Sequence, residues 1–431
     1  MSRMRITNAR VIDPFQEIDE VADVFVEGGL ITTKFSSTGD CDVLVEADGL
    51  WLVPRISDLH VHFRDPGQEW KEDLLSGSRA AAAGGVTMVG VMPNTVPVTD
   101  NADAIEALMT RVKNVGGVQV WPIGAVTVRS AGEQDAPWER MRQSGAKAFS
   151  DDGRPVTDAG ILSRALRWSQ ASGCPIIQHA EEPSLSQGGF AHDGLPARAQ
   201  GIAGVPAAAE AVMVWRDVAL VDAVGGRFHV AHCSTPGALE AVAWARSRGL
   251  AVTCEATPHH LFLTDQALDE WKGHPITKVN PPLRPPAMRH ALQQAVQSGV
   301  VDVIASDHAP HHADEKALSY AEAPFGISGL ETLLGVILTV FYHTGRVKPL
   351  DLLAKVTRGP HRVVGDGYPG LVPGAPADMT LIDPDVSWIV DPDRFVSRGH
   401  NTPMAGRALR GRAVATMVGG RWTMRDGEVL V

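Results

Sequence analysis

The sequence from residue 56 to residue 306 alternates between short apolar runs and longer amphipathic segments. The runs have the length of β-strands, and we count eight: 56–63, 86–92, 118–126, 146–150, 175–179, 228–232, 251–256 and 301–306. Segments with a helical period lie between them, including 100–115, 158–172, 207–224, 237–248 and 287–298. Eight such βα units in about 300 residues predict a (β/α)8 barrel. A doubly wound open sheet is the alternative, but no Gly-x-Gly-x-x-Gly follows the first run.

Both ends of the chain have a different pattern, with short strand-like runs and without the alternating helical segments. Residues 1–53 form short strand-like runs broken by Gly and Asp, and similar runs return near the carboxyl end. The sequence therefore predicts an α/β protein with a TIM barrel over 54–371. A small flanking β-sandwich is predicted from both chain ends, 1–53 and 372–431.

Composition excludes some classes of partner. The formal net charge of -11 argues against nucleic acid as the main partner, because phosphate binding requires clustered Lys and Arg. The first residues contain no apolar signal segment, and the longest uncharged apolar stretch, 332–342, is too short for a bilayer. We therefore expect a cytoplasmic protein without membrane contact. The four cysteines lack CxxC spacing and are interpreted as reduced thiols.

Polar side chains follow the predicted strands at the points where the strands end. In a barrel the active site is built from these carboxyl ends. Each residue alone has an ordinary explanation, such as a cap or a packed core histidine, but together they predict a metal centre. They are His60, His62, Arg64, Asn94, Asp151, Asp152, His179, His232, Asp307, His308 and His311.

The residue types indicate the chemistry. Imidazole and carboxylate ligands without thiolate suit Zn2+, and more ligands than one tetrahedral ion needs suggest two ions. Zn2+ lowers the pKa of bound water and so produces a nucleophile at neutral pH. Asp307 could accept the proton and pass it to a leaving nitrogen. Arg64 lies where it could hold an anionic substrate.

Seven motifs carry a family resemblance over nearly the whole chain, which resembles the cyclic amidohydrolases and, among them, most closely the bacterial class I dihydroorotases. The motifs are His60-Val61-His62-Phe63-Arg64-Asp65-Pro66-Gly67, Met92-Pro93-Asn94-Thr95, Phe149-Ser150-Asp151-Asp152-Gly153, Thr257-Pro258-His259-His260, Asn280-Pro281-Pro282-Leu283-Arg284, Ser306-Asp307-His308-Ala309-Pro310-His311 and Pro324-Phe325-Gly326-Ile327-Ser328-Gly329-Leu330-Glu331.

The resemblance implies reversible cyclisation of N-carbamoyl-L-aspartate to L-dihydroorotate in pyrimidine (UMP) synthesis, with a metal-bound hydroxide attacking the cyclic amide in the hydrolytic direction. It implies two zinc ions, the first bound by His60 and His62 and the second by His179 and His232. Asp152 and the hydroxide would bridge the ions. Asp307 would be both a ligand and the general acid/base.

The resemblance also implies a set of substrate contacts. Arg64, Asn94 and His311 would hold the carboxylate of dihydroorotate or carbamoyl aspartate. Asn280 and the backbone around Phe325-Gly326 would contact the ring, and His62 is also placed among the substrate-binding residues.

The sequence departs from the family pattern at several positions. Many relatives carry a carbamylated lysine where this chain has Ser150, and Lys147 lies three residues earlier. A neighbouring carboxylate must replace it, and we choose Asp152 over Asp151 from the family's spacing to His179. Arg55 also stands where relatives often have Gly, and Ala180 where they often have Cys.

Two other functions stay open at this stage. A hydantoinase, dihydropyrimidinase or allantoinase would not need Arg64 for a ring carboxylate. The chain could instead be a non-catalytic subunit that holds a partner, in this family aspartate transcarbamoylase. The sequence leaves open that complex and a homo-oligomer.

Overall fold

The computed structural model describes residues 3–36 and 41–431, so residues 1, 2 and 37–40 of the predicted small domain lie outside the described part. The chain begins with five strands: β1 (Arg3–Asp13), β2 (Ile18–Glu27), β3 (Leu30–Thr32), β4 (Val43–Glu46) and β5 (Trp51–Pro54). Strand β1 pairs antiparallel with β2 and parallel with β4 and β5.

Eight parallel strands then form the barrel sheet in sequential order. They are β6 (Ser57–Val61), β7 (Met88–Val91), β8 (Gln119–Gly124), β9 (Ala148–Ser150), β10 (Ile176–Gln178), β13 (Phe228–Val230), β14 (Val252–Ala256) and β15 (Val303–Ile304). The two-residue strands β11 (Ala191–His192) and β12 (Gly204–Val205) pair with each other outside this sheet.

The barrel closes between its first and last strands. Val61 forms a parallel bridge with His308, and the His62 amide donates to the His308 carbonyl at 2.9 Å. Alternate strand positions such as Leu59, Ile123 and Ile177 fill the interior with apolar side chains. Because the interior is packed, a ligand site must lie at one end of the barrel. The predicted (β/α)8 fold is confirmed.

Helices connect the strands and cover the outside of the barrel. They are α1 (Leu74–Ala83), α2 (Ala102–Val115), α3 (Trp138–Gln143), α4 (Ala159–Ser172), α5 (Pro183–Ser186), α6 (Leu195–Ala199), α7 (Ala208–Val224), α8 (Pro236–Ser247), α9 (Pro258–Phe262), α10 (Ala267–Glu270), α11 (Pro286–Gln297), α12 (Ala313–Lys316), α13 (Leu333–Ile337), α14 (Pro349–Ala354) and α15 (Arg358–Val364).

Local sequence explains where the long helices start and stop. The Asp158 carboxylate accepts a hydrogen bond from the Ile161 amide at 2.8 Å and caps α4, and Gly173 ends it in the left-handed conformation with φ 77°. Asn101 caps α2 through the Ala104 amide in the same way. Within the described ranges, none of the helices has the length and apolar character needed to cross a membrane.

The chain returns to the small sheet through β16 (Met379–Ile389), β17 (Ala408–Val418), β18 (Arg421–Arg425) and β19 (Glu428–Val429). Strand β16 pairs antiparallel with β5, which joins the strands of both chain ends in one sheet. Ile6 and Val26 from the amino end pack with Met379 and Met417 from the carboxyl end in a single apolar cluster. The predicted small β domain from both termini is therefore confirmed.

Candidate metal centre

The barrel brings six predicted residues together at the carboxyl ends of its strands. His60 lies in β6 and His62 directly follows it, while the others follow β9, β10, β13 and β15. All six side chains are buried. They are His60, His62, Asp152, His179, His232 and Asp307.

Imidazole nitrogens and carboxylate oxygens face one another across this cluster. His60 Nε2 lies 3.3 Å from Asp152 Oδ1 and 3.6 Å from Asp307 Oδ1. His62 Nε2 lies 3.2 Å from Asp307 Oδ1, and His232 Nε2 lies 3.6 Å from Asp152 Oδ1. Two overlapping groups have ligand atoms close enough to hold a metal ion: His60 with Asp152 and His232, and His60 with His62 and Asp307.

His179 is placed differently from the other three histidines. Its Nδ1 lies 2.9 Å from His232 Nε2 and 3.8 Å from Asp152 Oδ1. His179 is therefore in contact with the cluster, but it belongs to neither of the two groups.

Three of the imidazoles are oriented by a polar partner outside the cluster. The partner of His60 Nδ1 is Glu255 Oε1 at 2.7 Å, and that of His62 Nδ1 is Asn94 Oδ1 at 2.8 Å. Glu181 Oε2 lies 3.1 Å from His179 Nε2. Because the acceptor oxygens of Glu255 and Asn94 hold protons on Nδ1, they leave the Nε2 lone pairs of His60 and His62 free for a cation.

Two unpaired atoms show that the residues fit a metal ion. His60 Nε2 and Asp152 Oδ1 are buried and have no hydrogen-bond partner among the described residues. Buried polar atoms are normally paired, so atoms left without partners indicate a missing ligand. The donor set of neutral imidazole and carboxylate is one that Zn2+ prefers.

The electrostatics of the cluster point the same way. Burial is the largest single influence on Asp152 and raises its pKa, but the neighbouring histidines, His60 and His232 foremost, together outweigh burial and hold the pKa well below its usual value. Burial lowers the pKa of His60. The nearby carboxylates of Asp152, Asp307 and Glu255 together outweigh burial and raise this pKa well above its ordinary value. The carboxylates thus stabilise positive charge at this position.

The two adjacent aspartates have different surroundings. Asp151 accepts hydrogen bonds from the amides of Val126 and Thr127 at 2.8 and 3.0 Å, so it stabilises a loop. Asp152 faces the histidines. Ser150 Oγ accepts from the Asp152 amide at 3.0 Å, and Lys147 is exposed. Among the described residues, Asp152 and not a lysine therefore lies between the two metal-capable groups.

A cavity of about 130 Å³ opens beside the cluster. Six of the predicted substrate-binding residues line it, the five Arg64, Asn94, Asn280, Phe325 and Gly326 together with one of the histidines. A Cβ at Gly326 would lie 2.6 Å from the Ala309 carbonyl oxygen, so this glycine allows the two loops to approach closely. His62 also lines the cavity.

Arg64 is a buried cation in the wall of this cavity. Its contacts are the Pro310 carbonyl at 3.4 Å and His311 Nε2 at 3.3 Å, and it forms no ion pair with a described carboxylate. Burial lowers the pKa of Arg64 to about 10, more than the charges of Asp307 and Asp152 raise it. The guanidinium therefore stays charged at neutral pH and can pair with an anion.

His311 lies beside Arg64 and next to Gly326, at the edge of the cavity. His311 Nε2 lies 2.8 Å from the Phe325 carbonyl oxygen, to which it donates a hydrogen bond. His311 thus holds the loop that carries Phe325 and contacts Arg64, and its contact with the substrate carboxylate stays a prediction.

Three residues at the site were missed by the sequence prediction. The first two are Glu255, which contacts His60, and Glu181, which contacts His179 and accepts a hydrogen bond from Asn280. Asn401, far along the chain, accepts from the His311 amide at 2.9 Å. A charged residue at the end of the apolar run 251–256 was a visible signal for Glu255, while nothing local indicated Asn401.

Comparison with known proteins places the chain in a family. Residues 49–237 match the model of the family described as "Dihydro-orotase-like". The chain is 45% identical over 426 residues to a protein named dihydroorotase from Pelotomaculum thermopropionicum, covering 98% of this chain and 99% of that one. It is 42% identical to another dihydroorotase from Anaeromyxobacter dehalogenans, with 98% of each chain covered.

Solved structures of cyclic amide hydrolases have the same architecture. The L-hydantoinase (dihydropyrimidinase) from Arthrobacter aurescens superimposes with a TM-score of 0.88 at 26% identity, covering 100% of this chain and 98% of that one. The dihydropyrimidinase from Brevibacillus agri has a TM-score of 0.85 at 20% identity, covering 99% and 96%, which shows the fold alone. With the full-length relatives above, these findings show that the chain belongs to the dihydroorotase family of cyclic amide hydrolases.

Proposed function

We propose that the protein is a zinc-dependent dihydroorotase, which interconverts N-carbamoyl-L-aspartate and L-dihydroorotate in pyrimidine biosynthesis. Family membership makes the chain a hydrolase of cyclic amide C–N bonds, and the names of its relatives support this substrate. The observation that carries the proposal is Arg64, a buried guanidinium that lines the cavity beside the metal-capable cluster and has no ion-pair partner among the residues that the structure describes. Dihydroorotate has the ring carboxylate that such a cation binds.

The residues that would hold two zinc ions are the six of the cluster, with Asp152 facing His60, His62 and His232. Zinc supplies Lewis-acid activation of water and of the amide carbonyl when bound. Glu255, Asn94 and Glu181 orient the ligand imidazoles, so that little reorganisation is needed on binding.

Asp307 is the proposed general acid/base. Its Oδ1 lies 3.2 Å from His62 Nε2, and its carboxylate lines the cavity where the substrate would lie. In the hydrolytic direction Asp307 takes the proton of the attacking water and delivers it to the leaving ring nitrogen. Arg64 fixes the carboxylate, and Asn280 and the Phe325-Gly326 backbone contact the ring.

The deciding experiment compares substrates on purified protein whose zinc content is measured in the same sample. We expect turnover of L-dihydroorotate and N-carbamoyl-L-aspartate, close to two zinc ions per chain, and little turnover of hydantoin. Loss of Arg64 in R64M should lower kcat/KM for dihydroorotate by about 100-fold, because charge-assisted hydrogen bonds contribute about 1.5 to 3 kcal/mol each.

Hydantoin hydrolysis is the alternative that the solved neighbours raise. If hydantoin is the better substrate and R64M leaves its turnover unchanged, the dihydroorotase proposal is wrong. A protein that binds no metal under zinc-replete conditions would instead favour a non-catalytic subunit.

The cytoplasmic location, self-association and a complex with aspartate transcarbamoylase stay predictions. Sizing of the purified chain alone and after mixing with that transcarbamoylase tests the two assemblies directly.

A further inference from the structure

A second cavity lies at the opposite end of the barrel from the metal-capable cluster. Its volume is about 480 Å³, and it is lined by Phe228 and Val252 at the amino ends of β13 and β14 and by Asp302 just before β15. The proposed active site uses the carboxyl ends of the strands, so the two cavities are separated by the packed barrel interior.

The lining of this second cavity is strongly basic. It contains one carboxylate, Asp302, against five cationic side chains, although the whole chain carries a net charge of -11. The five are Arg227, Arg246, Lys355, Arg358 and Arg362.

Internal partners neutralise little of this charge. Asp302 pairs with Arg246, and Arg358 lies 3.6 Å from the exposed Glu17. Lys355 Nζ donates to the Val301 carbonyl at 2.7 Å, a contact that brings no negative charge. Arg227 likewise donates only to backbone carbonyls, including that of Val363 at 2.8 Å.

One guanidinium is unused. Arg362 is exposed at the cavity, and its side chain has no hydrogen-bond or ion-pair partner in residues 3–36 and 41–431. Burial is the main cause that lowers the pKa of Lys355, and repulsion from Arg246 and Arg358 lowers it further. The cations of this cavity therefore repel each other, and an anion bound among them would relieve the repulsion.

We propose that this basic cavity binds a phosphorylated small molecule carrying at least two phosphoryl charges. Guanidinium groups match phosphate oxygens in a bidentate geometry, and several cations around one cavity select for several negative charges. The volume is within the range of cavities that hold cofactor-sized ligands, whereas the cavity beside the metal-capable cluster is only about 130 Å³. The apolar Pro175 and Leu250 in the lining give the remainder of such a molecule a surface to pack against.

The test is calorimetric titration of the metal-loaded protein with ADP and with inorganic pyrophosphate at about 0.15 M salt, where long-range attraction is screened. We expect saturable binding of ADP, and no binding of adenosine. The double variant K355Q/R362Q should weaken ADP binding at least about tenfold, because it removes two charges from the cavity. Arg362 is exposed and Lys355 is half-buried, so an unchanged melting temperature is required to show that the variant keeps its fold.

Two variants serve as controls. K113Q/R421Q removes the same charge from exposed positions elsewhere and should leave ADP affinity unchanged. R64M removes the cation beside the metal-capable cluster and should also leave ADP affinity unchanged. Failure of both probes to bind, equal binding by K355Q/R362Q, or loss of binding in either control would overturn the proposal.

Discussion

At the scale of single residues, Glu255 lies outside the metal-capable groups but contacts His60, which belongs to both of them. Its two carboxylate oxygens contact His60 Nδ1 at 2.7 Å and His229 Nε2 at 3.1 Å. We expect E255Q to weaken zinc affinity by about 10- to 100-fold, because the neutral amide removes the negative charge that makes the His60 imidazole a better ligand. Titration against a competing chelator measures the change. T253V, which removes a hydroxyl that contacts His229 and not His60, is the matched control, and an E255Q protein with normal affinity would contradict this role.

Asp307 and Asp151 provide a matched pair of carboxylates. D307N should lower kcat by about 100-fold or more, because an amide cannot transfer the proton between water and the ring nitrogen. D151N changes a buried carboxylate that binds loop amides, and it should leave kcat within a few-fold of the unmodified protein. Zinc content measured on both variants separates loss of the proton step from loss of metal. Full activity of D307N would rule out the proposed acid/base.

At the scale of elements, Asn401 ties the segment between β16 and β17 to the loops at the cavity. Its Nδ2 donates to the carbonyls of Ala309 and Gly326 at 3.1 and 3.0 Å, and its Oδ1 accepts from the His311 amide. N401A should lower stability by about 1 to 3 kcal/mol, because buried backbone groups lose partners. It should also raise KM more than it lowers kcat, since the Phe325-Gly326 backbone moves.

Denaturant unfolding and steady-state kinetics measure the two effects of N401A. D391A, which removes a hydrogen bond to the Asp393 amide in the same segment, should leave KM unchanged. An equal rise of KM in D391A would show that any change in the segment between β16 and β17 raises KM, and that the hydrogen bonds of Asn401 are not the specific cause.

Glu331 holds this same segment by accepting from the amides of Val396 and Ser397 at 2.8 and 3.0 Å. Burial raises the pKa of Glu331 to about 7. Between its ordinary value near 4.5 and about 7 the folded protein therefore binds more protons than the unfolded chain, so this group makes stability fall as pH rises.

The variant E331Q keeps an oxygen for both amides and removes the titration. We measure the free energy of unfolding of E331Q and of the unmodified protein at pH 4.5 and at pH 7.5. Relative to the unmodified protein, E331Q should gain about 2 kcal/mol of stability between the lower and the higher pH. A constant difference across this range would show that Glu331 titrates normally.

At the scale of the whole molecule, an ion pair connects the barrel to the small sheet. Arg55 donates from Nε to Asp378 Oδ2 at 3.0 Å, and both side chains are buried. R55M should cost about 3 to 5 kcal/mol, because the buried Asp378 carboxylate loses its cation and keeps only the neutral donors Gln119 Nε2 and the Gly419 amide. Adding D378N should recover part of that loss in a double-mutant cycle followed by denaturant unfolding. Purely additive effects would show that the pair does not couple the two domains.

The architecture could be predicted from the sequence because its signals are local. Strand and helix periods, caps and strand ends depend on neighbours a few residues away, so the eight barrel strands and the terminal sheet were found with errors of a few residues. The same logic placed His60, His62, Asp152 and Asp307 at one end of the barrel, although their roles as ligands stay predictions.

Pairwise contacts were decided by the tertiary structure. Glu255 is 195 residues from His60, and Asn401 is 90 residues from His311. The distinction between Asp151 and Asp152, the contact of His311 with Arg64 and the basic cavity at the far end of the barrel also depend on packing. The sequence by itself determined the barrel and the strand ends that carry the polar residues. Only the tertiary structure decided which of those side chains meet, because closing the barrel brings distant segments within hydrogen-bonding distance.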